Sequence, residues 1–374
     1  MEKSGTGNQQ RAARRSFLKK GALGVGAAAI GAGFLAKESP AFAQDQEGES
    51  LTKGDVAILQ LLLAAEIIET DLWQQYKELG GVEAAANNPV VQPYVNGLVQ
   101  LDGDMPQYIS DNTDDEISHV AFLRAYLKSK GHEPINLDKF AHNLAPSTVS
   151  GVPQTGRLTN LKQLSVDTSW WTRYRSKENL DLGAPAFPQA VPSLNEGQHP
   201  AIPATPADLN SPNHIQAIAN TAGFHFGFIE QAGTSLYATL SQRVSSPEVL
   251  RITISIGGSE IMHFQTWQDK AGNATPLTDF DPVNNSSVTF GDLTTGQPET
   301  LQSNLIMPEP CEFISPSLPA CAIIRPSGPG QLDATGAINS FIADGLFRGQ
   351  PPQFLQLLKS LARAADAAER EGDD

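Results

Sequence analysis

The chain has 374 residues, 40% of them hydrophobic and 18% charged, with a formal net charge of −15. That much apolar material supports one large domain, or one domain with a sizeable appendage, and excludes fibrous and wholly disordered chains. The excess of acid excludes nucleic acid and anionic lipid as natural partners.

Residues 1–43 read as a targeting segment rather than as part of the fold. A polar start leads to Arg14-Arg15-Ser16-Phe17-Leu18-Lys19, then to a Gly/Ala-rich apolar stretch from Gly21 to Ala36, then to Ala41-Phe42-Ala43, an A-x-A cleavage pattern. The paired arginines ahead of Phe-Leu-Lys resemble the twin-arginine export motif. That resemblance implies the twin-arginine export machinery as a partner, a periplasmic or extracellular location, and export of a chain already folded. Removing this segment takes away seven Lys/Arg and two Asp/Glu and leaves 19 basic and 39 acidic residues, a net charge of −20. Residues 44–50 serve as a linker. No later stretch is apolar enough over about 18 residues to span a bilayer, so no membrane is expected for the mature form.

An all-α domain is predicted over 51–272. Thr52 with Asp55 resembles a capping box and opens a first helix that ends at Gly80-Gly81. A second helix covers about Pro106 to Lys130 and stops at Gly131. Residues 132–211 form a crossover insertion, with a helix expected in Arg157 to Arg175 carrying Trp170 and Trp171, and with a proline-dense extended crossover or lid from Ala184 to Pro212. Ser211-Pro212 and Ser246-Pro247 each place an N-cap serine before proline at the first helical position. The third helix runs from there toward Val244, the fourth to Ala271 before Gly272. Within the fourth, Arg251 to Gly258 alternates like a strand, and propensity alone favours β. Residues 273–374 form a loop-rich C-terminal extension with short strands, a terminal helix from Pro352 to Arg370 and a frayed charged tail. Its Cys311 and Cys321, nine residues between them, are expected to form a local disulfide in an oxidising compartment.

The helices repeat in pairs. Glu66, Thr70, Leu72 and Trp73 of the first match Glu230, Thr234, Leu236 and Tyr237 of the third, and offsets of four and seven return to one face. Glu116-Ile117-Ser118-His119 of the second matches Glu260-Ile261-Met262-His263 of the fourth, with carboxylate and imidazole side by side. The order is therefore Glu, Glu-x-x-His, Glu, Glu-x-x-His, the set used by carboxylate-bridged two-metal bundles. The helix period overrides the β propensity of Arg251 to Gly258.

These residue types suit that chemistry. Carboxylates neutralise and bridge two divalent cations about 3.5 to 4 Å apart, and one imidazole per metal leaves positions open. Glu116 and Glu260 are the candidate bridging ligands, His119 and His263 the imidazoles, and Glu66 and Glu230 the terminal ligands. The glutamates interrupt apolar stripes: Leu59, Leu62, Leu63 and Trp73 flank Glu66, and Phe122 and Leu123 follow His119. Four carboxylates aimed into one core require cations or protons. Iron and manganese accept the same ligands, so both stand as the two ions. Glu69 lies one turn from Glu66, but its counterpart is Gly233, so a supporting role is expected of it. Trp73 and Tyr237 are candidates to supply or carry an electron. His225 reads as a satisfied or surface histidine, Asp167 as a possible local cap, and His132, His142, His199 and His214 as solvated.

On Glu66, Glu116-x-x-His119, Glu230 and Glu260-x-x-His263, the region from Leu51 to Gly272 resembles the ferritin-like superfamily. With the twin-arginine leader, it is similar to exported bacterial ferritin-like domain proteins related to the desiccation-associated family. The resemblance implies a four-helix bundle with a long crossover between helices two and three, and redox chemistry with oxygen or peroxide at a di-iron or di-manganese centre. Alternatives are a stress-related structural or binding protein on the same scaffold, and iron binding without turnover. The extension after Gly272 lies outside the resemblance and has no place in a storage cage.

Overall fold

The computed structural model describes residues 50–175, 187–295, 307–309, 315, 317, 321–323 and 333–371. The targeting segment with Arg14 and Arg15, and Cys311 of the expected disulfide, lie outside these residues.

Local signals place the helices. Helix α1 (Lys53–Gly80) starts where the Thr52 hydroxyl accepts the Asp55 N–H at 3.0 Å. Asp55 does not complete a capping box. Its carboxylate instead accepts the N–H groups of Ser245 and Ser246 at 2.8 and 3.1 Å, at the turn between the last two long helices. Two short helices that the sequence reading did not anticipate follow, α2 (Val82–Asn87) and α3 (Gln92–Leu101), ahead of α4 (Met105–Ser129). After the crossover come α7 (Pro212–Ser241) and α8 (Pro247–Ala271), each with proline in its first turn and a serine hydroxyl, Ser211 or Ser246, as its N-cap.

The strand-like stretch of α8 is helical because its burial is helical. Ile252, Thr253 and Ile256 face inward, whereas Ile254 is exposed. Thr253 and Ser255 donate their hydroxyls to the carbonyls of Leu250 and Arg251, so no polar group competes with the helix. Gly257 lets α8 approach α7, since a Cβ there would lie 2.8 Å from Cβ of Tyr237.

The crossover departs from expectation. Of residues 157–175 only α5 (Ser169–Arg173) is helical, and α6 (Pro192–Glu196) is as short. Side chains capture the backbone that a longer helix would need: Asp71 accepts the Thr159 N–H at 2.8 Å, and Asn160 accepts that of Lys162 at 3.1 Å. Asp167 accepts the Ser169 N–H at 2.8 Å. Nor are the described residues of the proline-dense stretch, 187–212, a loose lid, because Val191, Leu194, Ala201 and Ile202 belong to the core.

Beyond α8, β1 (Leu277–Asp281) and β2 (Ser286–Phe290) form an antiparallel hairpin with Leu277 opposite Phe290, and β3 (Met307–Glu309) pairs antiparallel with β4 (Cys321–Ile323). Helices α9 (Ala334–Ala343), also unanticipated, and α10 (Pro352–Asp366) follow, the latter ending four residues before the predicted Arg370. Helix α1 packs on α4, α7 on α8, α3 on α7, and α10 on both α1 and α9. The described chain is mostly helical, and none of its helices is long and apolar enough to cross a membrane.

Candidate metal centre

The four long helices bring all six predicted ligand residues to one place. Glu66 comes from the middle of α1, Glu116 and His119 from α4, Glu230 from α7, and Glu260 and His263 from α8. The four glutamates are at most 1% exposed. Their ligand atoms form two quartets, Glu66–Glu116–His119–Glu260 and Glu116–Glu230–Glu260–His263, with the atoms of each quartet within 4.8 Å of one another. Glu116 and Glu260 belong to both.

Each imidazole points one nitrogen inward and secures the other. His119 Nδ1 lies 3.1 Å from Glu66 Oε2, 3.1 Å from Glu116 Oε2 and 3.6 Å from Glu260 Oε1. One proton there could satisfy only one of three oxygens. Its Nε2 lies 3.2 Å from the Ser259 hydroxyl, which donates its own hydrogen to the Ile256 carbonyl and so accepts from His119. His263 Nδ1 lies 3.2 Å from Glu116 Oε1 and 3.4 Å from Glu230 Oε2, while Nε2 donates to Asp115 at 3.0 Å. With both Nε2 atoms donating outward, loss of the Nδ1 protons would turn both Nδ1 lone pairs toward the carboxylates, the tautomer a metal ligand needs.

The carboxylates are not satisfied by protein alone. Asn112 donates to Glu116 at 2.7 Å and to Glu230 at 3.0 Å, and Tyr237 donates to Glu66. Glu230 Oε2, both oxygens of Glu260 and His263 Nδ1 remain buried without a hydrogen-bond partner. A buried carboxylate left so is costly, whereas a cation between the quartets would satisfy all of these atoms together. The donor set of hard oxygens with one imidazole per quartet fits a divalent metal ion.

Burial, reinforced by repulsion from neighbouring carboxylates, holds Glu260 and Glu69 well above the ordinary carboxylate range. Burial also raises Glu116, to about 7, against the attraction of the His119 and His263 rings beside it. For His119 burial acts the other way, yet the Glu116 and Glu66 carboxylates win and lift it to about 10. His263 rises likewise, with Glu230, Asp115 and Glu116 outweighing its burial. Metal-free, the cluster is a store of protons that a cation would displace.

The remaining predicted residues fall less uniformly. Glu69 is buried and makes no hydrogen bond among the described residues, and Gly233, its counterpart, leaves the room that Glu260 fills: a Cβ there would lie 2.5 Å from Glu260 Oε2. Trp73 is fully buried. It stacks on Trp267 at 5.2 Å, and Trp267 Nε1 donates at 2.7 Å to Asn112, which reaches the cluster. Phe122 does not continue a buried stripe, being 50% exposed, whereas Leu123 is buried. His225 is buried and only half satisfied: its Nδ1 lies 2.7 Å from the Tyr76 hydroxyl, burial lowers it to about 3 so that the neutral ring accepts from the phenol, and its Nε2–H is left without a partner among the described residues. Two histidines expected to be solvated are not: His199 is buried and held by the Ser193 carbonyl at 2.8 Å, and His214 pairs with Asp279 at 2.7 Å. Asn112, Asp115, Ser259 and Trp267 were not singled out beforehand. Their only signal is helical spacing, since Asn112 lies four before Glu116 and Trp267 four after His263.

Searches of curated proteins and of solved structures gave no match. A family model described as a ferritin-like domain matches residues 54–273, from the first turn of α1 to just past α8. That span holds every residue of the cluster and more than half of the chain, and the chain belongs to the ferritin-like domain family.

Proposed function

We propose that this chain is an exported di-metal carboxylate protein whose four long helices act as a ferritin-type bundle with a long crossover, and that it reacts with a small oxidant, oxygen or peroxide. The observation that carries the reading is the pair of quartets sharing Glu116 and Glu260. Two iron or manganese ions would be held by Glu66 and His119 on one side, by Glu230 and His263 on the other, and by Glu116 and Glu260 between them. When bound, such a pair supplies open coordination positions and electrons to a small oxidant.

The protein's own contribution is positional and electrostatic. Asn112 holds Glu116 and Glu230 in register, Tyr237 holds Glu66, and Asp115 and Ser259 fix the imidazole rings. Tyr237 places a phenol hydrogen beside the cluster, and the stacked Trp73 and Trp267, linked to it through Asn112, offer a route for an electron. The leader with Arg14 and Arg15 supports export by the twin-arginine pathway and a periplasmic or extracellular site of action. The relationship to desiccation-associated proteins rests on the same leader and ligand set.

Metal analysis by plasma mass spectrometry on mature protein from its own compartment, beside a Glu116→Ala/Glu260→Ala double variant, tests this. About two equivalents of iron or manganese, lost in the variant, is the expected result. Protein that holds no metal and takes up none on reconstitution would overturn it.

A further inference from the structure

The C-terminal extension reaches the cluster. Between α1 and α7, beneath α9, lies a cavity of about 20 Å³ whose floor carries Glu66, Glu69 and Tyr237. Its walls are Leu61, Ile68 and Leu72 of α1 with Ile229 and Leu236 of α7, and its roof is Ala337, Ile338 and Phe341 of α9. Ala337 and Ile338 are buried, so the roof is packed in place.

Size and lining decide what fits. A single water needs roughly 10 to 15 Å³ on this measure, so the space admits one molecule of two or three heavy atoms. A water or peroxide there would need several polar partners. The floor offers little: the Tyr237 hydroxyl is committed to Glu66, and Glu66 also faces His119, which leaves the Glu69 carboxylate. A small apolar molecule needs no such partners and meets a lining that is apolar apart from this carboxylate. The cavity also opens on the α1/α7 side of the cluster, away from the α4/α8 side, where Asp115 beside His263 is 55% exposed.

We propose that this cavity is a binding site for one small apolar molecule of dioxygen size, roofed by α9, and that it selects dioxygen over peroxide as the oxidant admitted to the cluster. The choice of oxidant rests on the metal reading above, whereas the cavity's affinity for an apolar molecule does not.

Xenon is the probe, an apolar sphere that needs no metal. Xenon-129 NMR on the full chain, metal-free and metal-loaded, with crystals derivatised under xenon pressure, should show one saturable site between α1, α7 and α9. Ala337→Phe, which fills the cavity, should abolish that site. At equal metal content it should slow dioxygen consumption at least tenfold and leave peroxide consumption within twofold. Should that variant misfold, Ile338→Ala enlarges the roof and should admit cyclopropane, which the parent excludes. Absence of xenon at this site in the parent chain overturns the proposal, as does an unchanged dioxygen rate once the cavity is filled. Metal content measured on the same samples separates the two readings: xenon bound in a chain that never loads metal leaves the cavity standing and removes the di-metal function.

Discussion

Gly233 and Glu69 occupy equivalent places in two matching helices, and their difference makes the cluster unequal on its two sides. Glycine is needed on α7 because Glu260 already fills the space its side chain would take. Gly233→Ala should therefore push Glu260 out of place at a cost of about 1 to 3 kcal/mol. Metal affinity read by competition with a chelator should fall about tenfold or more while the circular dichroism spectrum stays helical. Asn112→Ala acts differently, since it strands the Trp267 N–H and removes a donor from two carboxylates. It should lower the stability of the metal-free protein by about 1 to 3 kcal/mol in urea titration. The six predicted ligand residues were legible in sequence because Glu-x-x-His recurs in the second and fourth of the long helices and a Glu with Thr four residues on recurs in the first and third. Asn112, Asp115 and Ser259 were not, since a polar residue one turn from a ligand looks the same whether it turns inward or toward water. Phe122 shows the converse, an aromatic beside a ligand that faces solvent.

Helix α8 shows how an element can contradict its own composition. Ile-Thr-Ile-Ser-Ile favours a strand, but the Ser246-Pro247 start and the placement of Glu260 and His263 on one face require the helix. Its two adjacent glycines have different standing. Gly257 permits the close contact with Tyr237, whereas a Cβ at Gly258 would meet nothing within 4 Å. Gly258→Ala should then stabilise the chain by about 0.5 to 1 kcal/mol, seen as a higher urea midpoint with unchanged slope. The join between the crossover and β1 can be tested by pH. His214 is raised to about 9 by Asp208, whose carboxylate lies 3.8 Å from Nε2, and by its 2.7 Å hydrogen bond to Asp279, against burial. Because the folded value exceeds the unfolded one, the stabilisation is complete below about pH 6.5 and disappears as pH rises through about 9. The gap in unfolding free energy between parent and His214→Gln should be on the order of 1 kcal/mol at pH 6 and close to zero at pH 10. Long capped helices were readable from their punctuation. α2, α3 and α9 were not, being six to ten residues long, and the irregular crossover is fixed by side chains from α1 that no local pattern reveals.

At the scale of the whole molecule, folding and metal binding are linked through protons. Burial and mutual repulsion keep Glu116 protonated up to about pH 7 and Glu260 beyond the ordinary range, so a cation entering must displace protons. Calorimetry in buffers of different ionisation enthalpy at pH 7 should record more than one proton released per metal bound, and affinity should rise from pH 6 to pH 8. The helical class and the cluster were visible in the sequence. The roof that α9 places over the cavity beside the cluster was not, because residues 272–333 separate α8 from α9 and nothing in their order says where the chain returns.

The carboxylate of Asp55, in the first turn of α1, clasps the backbone at the α7–α8 turn nearly two hundred residues later. The matching halves of the repeat are thus not interchangeable modules. The second half cannot finish its own hairpin without a group that only the first supplies. During synthesis α1 emerges first and waits, and a chain shortened at its front would leave the later pair of helices without their clasp even though every one of their own residues was present.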